Sequence, residues 1–214
     1  MLHLATPLRA PPPCMQAESA MALGGYTAET LLGAPKHQPL ELHLRSLHVP
    51  DASLHLVKAK GESTEHLLLK GLLWALLLSS GYSDAACERD LGLRYRPDVV
   101  ALDGGNVPMW WGECGSVKPS KLRDLALAFP QCRFSVCKWG RSDLRGYAAG
   151  LRQEMALPPR APRAPPFELV NFPSDSVERF LSDDGVISIS WEDLACTPLD
   201  GGEERSVRGR RRRR

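Results

Sequence analysis

A chain of 214 residues has room for one domain of ordinary size plus extensions, and a hydrophobic content of 43% excludes global disorder. Residues 205–214 hold seven arginines and no acid, so the net charge of +2 hides a body of 20 basic against 25 acidic residues, a balance of −5. A strongly basic nucleic-acid-binding body is not visible in this composition, and no apolar run approaches the roughly 20 residues that a membrane span needs.

The opening MLHLATPLRAPPPC lacks a continuous apolar stretch, so no secretory signal is expected and a cytoplasmic protein is inferred. Residues 1–35 read as a disordered leader, with Pro7 and Pro11–Pro13 among small residues of no sustained period. ELHLRSLHV alternates from Leu40, with Leu42 and Leu44 on the same face, and ASLHLVKAK alternates again with Leu54, Leu56 and Lys58 to one side. Val49-Pro50-Asp51 turns between them, which predicts a hairpin.

Gly61 to Ser80 predicts a helix with Ser63 or Thr64 as N-cap and an apolar stripe at Leu68, Leu69, Leu72 and Leu76. Two strands follow, Arg96–Asp103 and Val107–Glu113, joined by Gly104-Gly105-Asn106, residues that tolerate positive φ. Pro119–Phe129 reads as a helix, Cys132–Trp139 as a third core strand, and Ser142–Met155 as a closing helix capped by Ser142. The domain therefore spans 36–155. A proline-rich linker over 156–166 leads to a β-α-β appendix over 167–200, expected to pack on the core. Residues 201–214 read as a disordered arginine-rich tail, because like charges repel and stay solvated. The six cysteines (Cys14, Cys87, Cys114, Cys132, Cys137, Cys196) make no CxxC and read as reduced, small buried side chains.

Three carboxylates fall where this order of elements brings them together. Asp98 opens its strand after Pro97, and Glu113 closes the partner strand on the face of Met109 and Trp111. Glu65 shares the helical stripe of the leucines and is expected to face the core. Buried acids need neutralising, and an all-oxygen set suits Mg2+ or Mn2+. The chemistry that follows is metal-assisted phosphodiester hydrolysis.

RPDVVALD followed by WWGECG resembles the PD-(D/E)xK restriction-endonuclease-like superfamily. More narrowly, DASLHLVKAKGESTEHLLLKGLLWAL with WGECGSVKPSKLRDLA looks like the YaeQ family within it, over about residues 40–155. The resemblance implies an α/β restriction-endonuclease-like core with a central mixed β-sheet flanked by helices. It also implies Asp98 and Glu113 as Mg2+ ligands, Glu65 as an assisting helix carboxylate, and the carbonyl of Cys114 as a further ligand. The superfamily's lysine position is Gly115 here, as it tends to be in YaeQ-like sequences, so Lys118 and Lys121 of the next helix are the candidates to replace it. Of the two, Lys118 continues the spacing of Leu122, Leu125 and Phe129 on the inward face, and Lys121 lies on the flank. The readings left open are a Mg2+-dependent nuclease acting on DNA or RNA, a catalytically inactive module of the same fold that binds nucleic acid or protein, and a structural domain with its acids in salt bridges. Any basic surface for nucleic acid has to be assembled by Lys58, Lys60, Lys118, Lys121 and Arg123.

Overall fold

The computed structural model describes residues 25–34, 39–158, 161 and 164–200. Most of the expected leader, parts of the proline linker and the whole arginine tail lie outside the described residues.

The fold is mixed α/β, built from two mixed sheets and helices in alternating layers. The hairpin strands β1 (Glu41–Ser46) and β2 (Ser53–Val57) pair antiparallel, with Leu42 opposite Leu56 and His43 opposite His55. Alternation sets their faces: Leu42, Leu44 and Leu56 are buried, while Glu41, His43 and His55 are exposed. Against the buried face lies α1 (Thr64–Ser79), entered through Ser63, whose hydroxyl accepts from His66 N at 3.1 Å. Gly71 lets this helix approach β1, because a Cβ there would meet the Leu44 side chain.

The other side of α1 packs on a six-stranded sheet. Its strands are β3 (Ala86–Cys87), β4 (Val99–Leu102), β5 (Pro108–Cys114), β6 (Arg133–Trp139), β7 (Phe167–Phe172) and β9 (Ala195–Pro198), neighbours in that order. The interior pairs β5–β6 and β6–β7 are parallel and the outer pairs antiparallel. Such strands, covered on both faces, read as near-continuous apolar runs. One core joins Leu73, Trp74, Val99, Trp110 and Phe172 around α1. A second joins Trp111, Phe134, Val136 and Leu169 to α2 (Pro119–Ala128) and α3 (Leu144–Met155) on the opposite face.

The expected α/β core with a central mixed sheet flanked by helices is present, and β8 (Val186–Ile187) pairs with β1 in a second, smaller mixed sheet. Three expectations need correction. The segment over 167–200 is no appendix laid on a finished core. It supplies β7 to the interior of the large sheet and carries a short helix (Ser176–Phe180) on the way to β8 and β9. The last ten residues of the expected leader hold a helical turn, Ala28–Leu32, that buries Leu31, while the Tyr26 hydroxyl accepts from His43 N at 3.0 Å. The cap of α3 is Asp143 and not Ser142, its Oδ1 accepting from Gly146 N at 2.8 Å.

Candidate functional site

The end of the β4–β5 pair holds two of the three expected acids. Val99 pairs with Gly112, so Asp98 and Glu113 occupy neighbouring strands, each one residue beyond that pair. Glu113 is buried and lies two residues beyond Trp111, on the face covered by α2. Its Oε1 accepts from Trp111 Nε1 at 2.7 Å and its Oε2 from Lys121 Nζ at 2.6 Å. Burial raises the Glu113 carboxyl above its usual range, although Lys121 and Trp111 pull the other way. Asp98 is half-buried. Its Oδ2 accepts from Cys114 N at 2.6 Å, and its Oδ1 lies 3.4 Å from His66 Nε2. Burial works to raise the Asp98 carboxyl, yet the bonds from His66 and the Cys114 N–H prevail and hold it below the usual range. In return, the bond to Asp98 raises the His66 imidazole against the opposing effect of burial.

Glu65 does not join them. It is exposed and lines the cleft mouth one turn before Leu69, where the stripe runs past the sheet into open space. The residues of α1 that face the acids are instead His66 and, just before the helix, Glu62. Glu62 Oε1 lies 3.6 Å from His66 and 2.5 Å from the ammonium of Lys70, which is buried and also meets Glu88 at 2.8 Å. Burial lowers the Lys70 ammonium's affinity for its proton, but Glu62 and Glu88 outweigh this and hold its pKa above the ordinary value. Glu62, His66 and Lys70 are spaced i, i+4, i+8, a polar stripe in an otherwise leucine-rich segment. That spacing was the signal available for them in the sequence.

Lysine placement also differs from expectation. Lys118 is the exposed N-cap of α2 and makes no side-chain cap bond, so it does not continue the inward stripe. Lys121, one turn on, lays its stem along the flank and reaches Glu113, passing 5.7 Å from the Tyr95 ring centroid. Gly115 has φ +70, a left-handed conformation that a lysine rarely adopts, which accounts for glycine where the resemblance implies a cation. A third lysine, not anticipated, reaches the Gly115 backbone from the neighbouring strand. Lys138 lies on β6 two residues beyond Val136, the register partner of Glu113, and its ammonium donates to the Gly115 carbonyl. Lys138 is 7% exposed and forms no ion pair among the described residues; its other neighbour is the Tyr147 ring, at 4.8 Å. Lys58, expected on a basic surface, is buried without a hydrogen-bond partner.

His66, Gly115, Lys138, Arg141 and Tyr147 line a cleft of about 960 Å³ beyond the C-terminal ends of the parallel strands β5 and β6. Open α/β sheets bind ligands at such ends. Opposed carboxylates on adjoining strands suit a hard cation, since Mg2+ binds through one or two carboxylates and keeps several waters. Among the described residues, neither Asp98 nor Glu113 belongs to a group of three His, Cys, Asp or Glu with ligand atoms within 4.8 Å of one another. Asp98, Glu113 and the Cys114 carbonyl offer oxygen donors, the chemistry that Mg2+ or Mn2+ accepts, and Lys121 already engages Glu113.

No protein-family model matches the sequence, and no curated protein matches it. Among solved structures, the YaeQ protein from Xanthomonas axonopodis pv. citri is similar with a TM-score of 0.45 and 16% identity, over 75% of this chain and 90% of that one. The YaeQ protein from Pseudomonas syringae gives 0.43 and 18%, over 80% and 94%. Likeness at this level carries no chemistry across, and the functional reading rests on the residues above. No helix among the described residues is long and apolar enough to cross a membrane.

Proposed function

We propose that the chain is a Mg2+- or Mn2+-dependent nuclease of the PD-(D/E)xK kind, hydrolysing phosphodiester bonds of DNA or RNA in the cleft. The observation that carries this reading is Lys138, a buried ammonium on a neutral carbonyl with no carboxylate paired to it among the described residues. An uncompensated buried cation is costly unless an anion completes it, and a phosphate in the cleft supplies one. Asp98, Glu113 and the Cys114 carbonyl would hold the metal ion, which supplies Lewis-acid stabilisation and a lowered pKa for water. Lys138 offsets charge that builds on the phosphoryl oxygens, as the superfamily lysine does from the position that is Gly115 here. Arg141, its guanidinium 3.8 Å from the Tyr147 ring, offers the substrate backbone a planar donor at the cleft wall. A cytoplasmic setting belongs to the same proposal, in keeping with free thiols at Cys87, Cys114, Cys132, Cys137 and Cys196.

The test is cleavage of end-labelled single-stranded DNA, duplex DNA and RNA by the full chain with Mg2+ or Mn2+. Wild type should cleave at least one of them, and Asp98→Asn, Glu113→Gln and Lys138→Met should each cost about 100-fold or more in rate with folding intact. Cleavage undiminished in Lys138→Met removes the assigned role of Lys138, and a wild type inert on every substrate removes the nuclease.

One observation favours a second reading, a catalytically inactive module for nucleic-acid or protein binding. Each carboxylate oxygen of Asp98 and Glu113 already has a protein partner, so the pair is balanced by His66 and Lys121 without a metal ion. In that case wild type turns over nothing, yet retains nucleic acid or a protein partner through Lys138 and Arg141.

A further inference from the structure

The outer face of the β1–β2 hairpin carries a second cluster, on the far side of the small sheet from α1. Lys58 N donates to Leu40 O at 2.8 Å and Ser46 N to Ala52 O at 3.3 Å. Antiparallel pairs alternate, so His43 and His55, midway between those two bonded pairs, form a non-hydrogen-bonded pair, the kind whose side chains stand closest. Their rings stack with centroids 4.3 Å apart at an interplanar angle of 5°. Glu41, two residues before His43 on the same face, reaches diagonally to His55, Oε2 to Nε2, at 3.2 Å. One donor atom from each of Glu41, His43 and His55 lies within 4.8 Å of the others. No other group of three His, Cys, Asp or Glu among the described residues meets that condition.

We infer that Glu41, His43 and His55 form a binding site for a borderline divalent transition ion, of which Zn2+ is the probe. Two imidazoles and one carboxylate are the donors such ions select, whereas Mg2+ prefers oxygen alone. Ligands of a tetrahedral ion at about 2.1 Å stand about 3.4 Å apart, so small rotations of exposed side chains close the set around an ion. The backbone beneath is fixed. Leu42, Leu44 and Leu56 anchor both strands in the core, and the Tyr26 hydroxyl holds the His43 N–H. Arg45, the cation next along that face, is engaged by Asp184 at 2.8 Å and does not compete for Glu41. Three protein ligands leave a fourth position for water.

This site is independent of the proposed nuclease centre and is tested separately from it. The full chain is titrated calorimetrically with Zn2+ in excess Mg2+, alongside His43→Ala, His55→Ala, Glu41→Gln and Glu113→Gln. Wild type and Glu113→Gln are expected to bind one equivalent at this site with the same affinity. Each histidine variant should bind at least about 100-fold more weakly, beyond what loss of an outer-shell partner costs, and Glu41→Gln should bind more weakly than wild type. Zn2+ should also raise the melting temperature of wild type and leave that of the histidine variants unmoved. The site is refuted by a wild type without such a step, or by histidine variants that keep wild-type affinity, since the ion would then be bound elsewhere.

Discussion

Replacing Lys121 by methionine keeps the stem and removes the ammonium that meets Glu113. The pair is 2.6 Å long, and its side chains are 23% and 6% exposed. Removing one partner from a buried pair costs about 3–5 kcal/mol, because the other charge stays buried and unbalanced. Two features reduce that here. Lys121 sits at the rim, and Trp111 Nε1 still donates to Glu113 at 2.7 Å, so the expected loss is about 2–3 kcal/mol at pH 7. The loss should depend on pH. Burial already raises the Glu113 carboxyl, and loss of Lys121 raises it further. A raised carboxyl gives the folded state the higher proton affinity, so the variant loses stability as pH rises from the ordinary glutamate range through its folded pKa. Urea unfolding followed by tryptophan fluorescence, in both proteins at pH 4 and pH 7, reads this directly. A difference below about 0.5 kcal/mol at pH 7, or one equal at both values, would show an ordinary surface pair and refute the reasoning.

On the nuclease reading the same variant reports the metal ion. Lys121 and a divalent cation compete for Glu113, so Mg2+ should stabilise Lys121→Met more than wild type, by up to about 2.7 kcal/mol at a hundredfold excess over Kd. Adding Glu113→Gln should abolish that gain. Equal and negligible effects of Mg2+ on all three proteins would remove the shared metal site while leaving the ion pair intact.

Lys70→Met should cost about 3 kcal/mol in urea, because Glu62 is left with a side chain only 10% exposed, and adding Glu62→Gln should return part of it. Loss of less than about 1 kcal/mol, the worth of a surface pair, would mean that the buried ammonium is not what balances these acids. His66, raised chiefly by Asp98, contributes stability that is complete below the unfolded histidine pKa and lost as pH rises through its folded pKa. The difference in melting temperature between wild type and His66→Gln should therefore shrink across that window, and a constant difference would contradict the Asp98–His66 pairing. Gly112→Ala should cost about 1–3 kcal/mol in urea, since a Cβ there meets the fully buried Leu73 and leaves 3.3 Å to the Val99 carbonyl, and a neutral result would show slack in that layer.

The hairpin, the Ser63 cap, the Gly104-Gly105-Asn106 turn and the strand Phe167–Phe172 were legible because each is written locally, as alternation, a cap or turn chemistry. The two-residue strand β8 was not, since its partner β1 lies about 140 residues away and nothing local specifies that pairing. Glu65 was misplaced for a related reason. α1 is buried on nearly all sides from Leu67 to Leu78, so its leucines do not single out one inward face and the phase of the helix cannot be read from them. Lys138 depends on the register between β5 and β6, which are parallel and separated by α2, and that register is set by tertiary packing. The visible sign was a lysine inside the apolar run of Cys132–Trp139.

A series of alternating charges runs from the half-buried Asp98 through the buried Lys70 to the surface. Asp98 meets His66, His66 meets Glu62, Glu62 meets Lys70, Lys70 meets Glu88, and Glu88 meets Arg96 at 3.3 Å. Apolar residues of like volume often serve stability as well or better than buried ion pairs, so stability alone does not account for the series. What it does is fix orientation. It ties the start of α1 to the loop before β4 and holds Asp98 between the Cys114 N–H and His66, which lines the cleft. Glu113 is held as firmly, by Trp111 and Lys121. Two carboxylates locked on neighbouring strands meet the need of a preorganised site, yet they would equally suit a rigid scaffold. Lys138 separates these alternatives. Lys58 and Lys138 are the buried lysines that form no ion pair among the described residues, and of the two Lys138 lines the cleft, facing a carbonyl and an aromatic ring beside open space. On the nuclease reading, that charge is the one a phosphate in the cleft would meet.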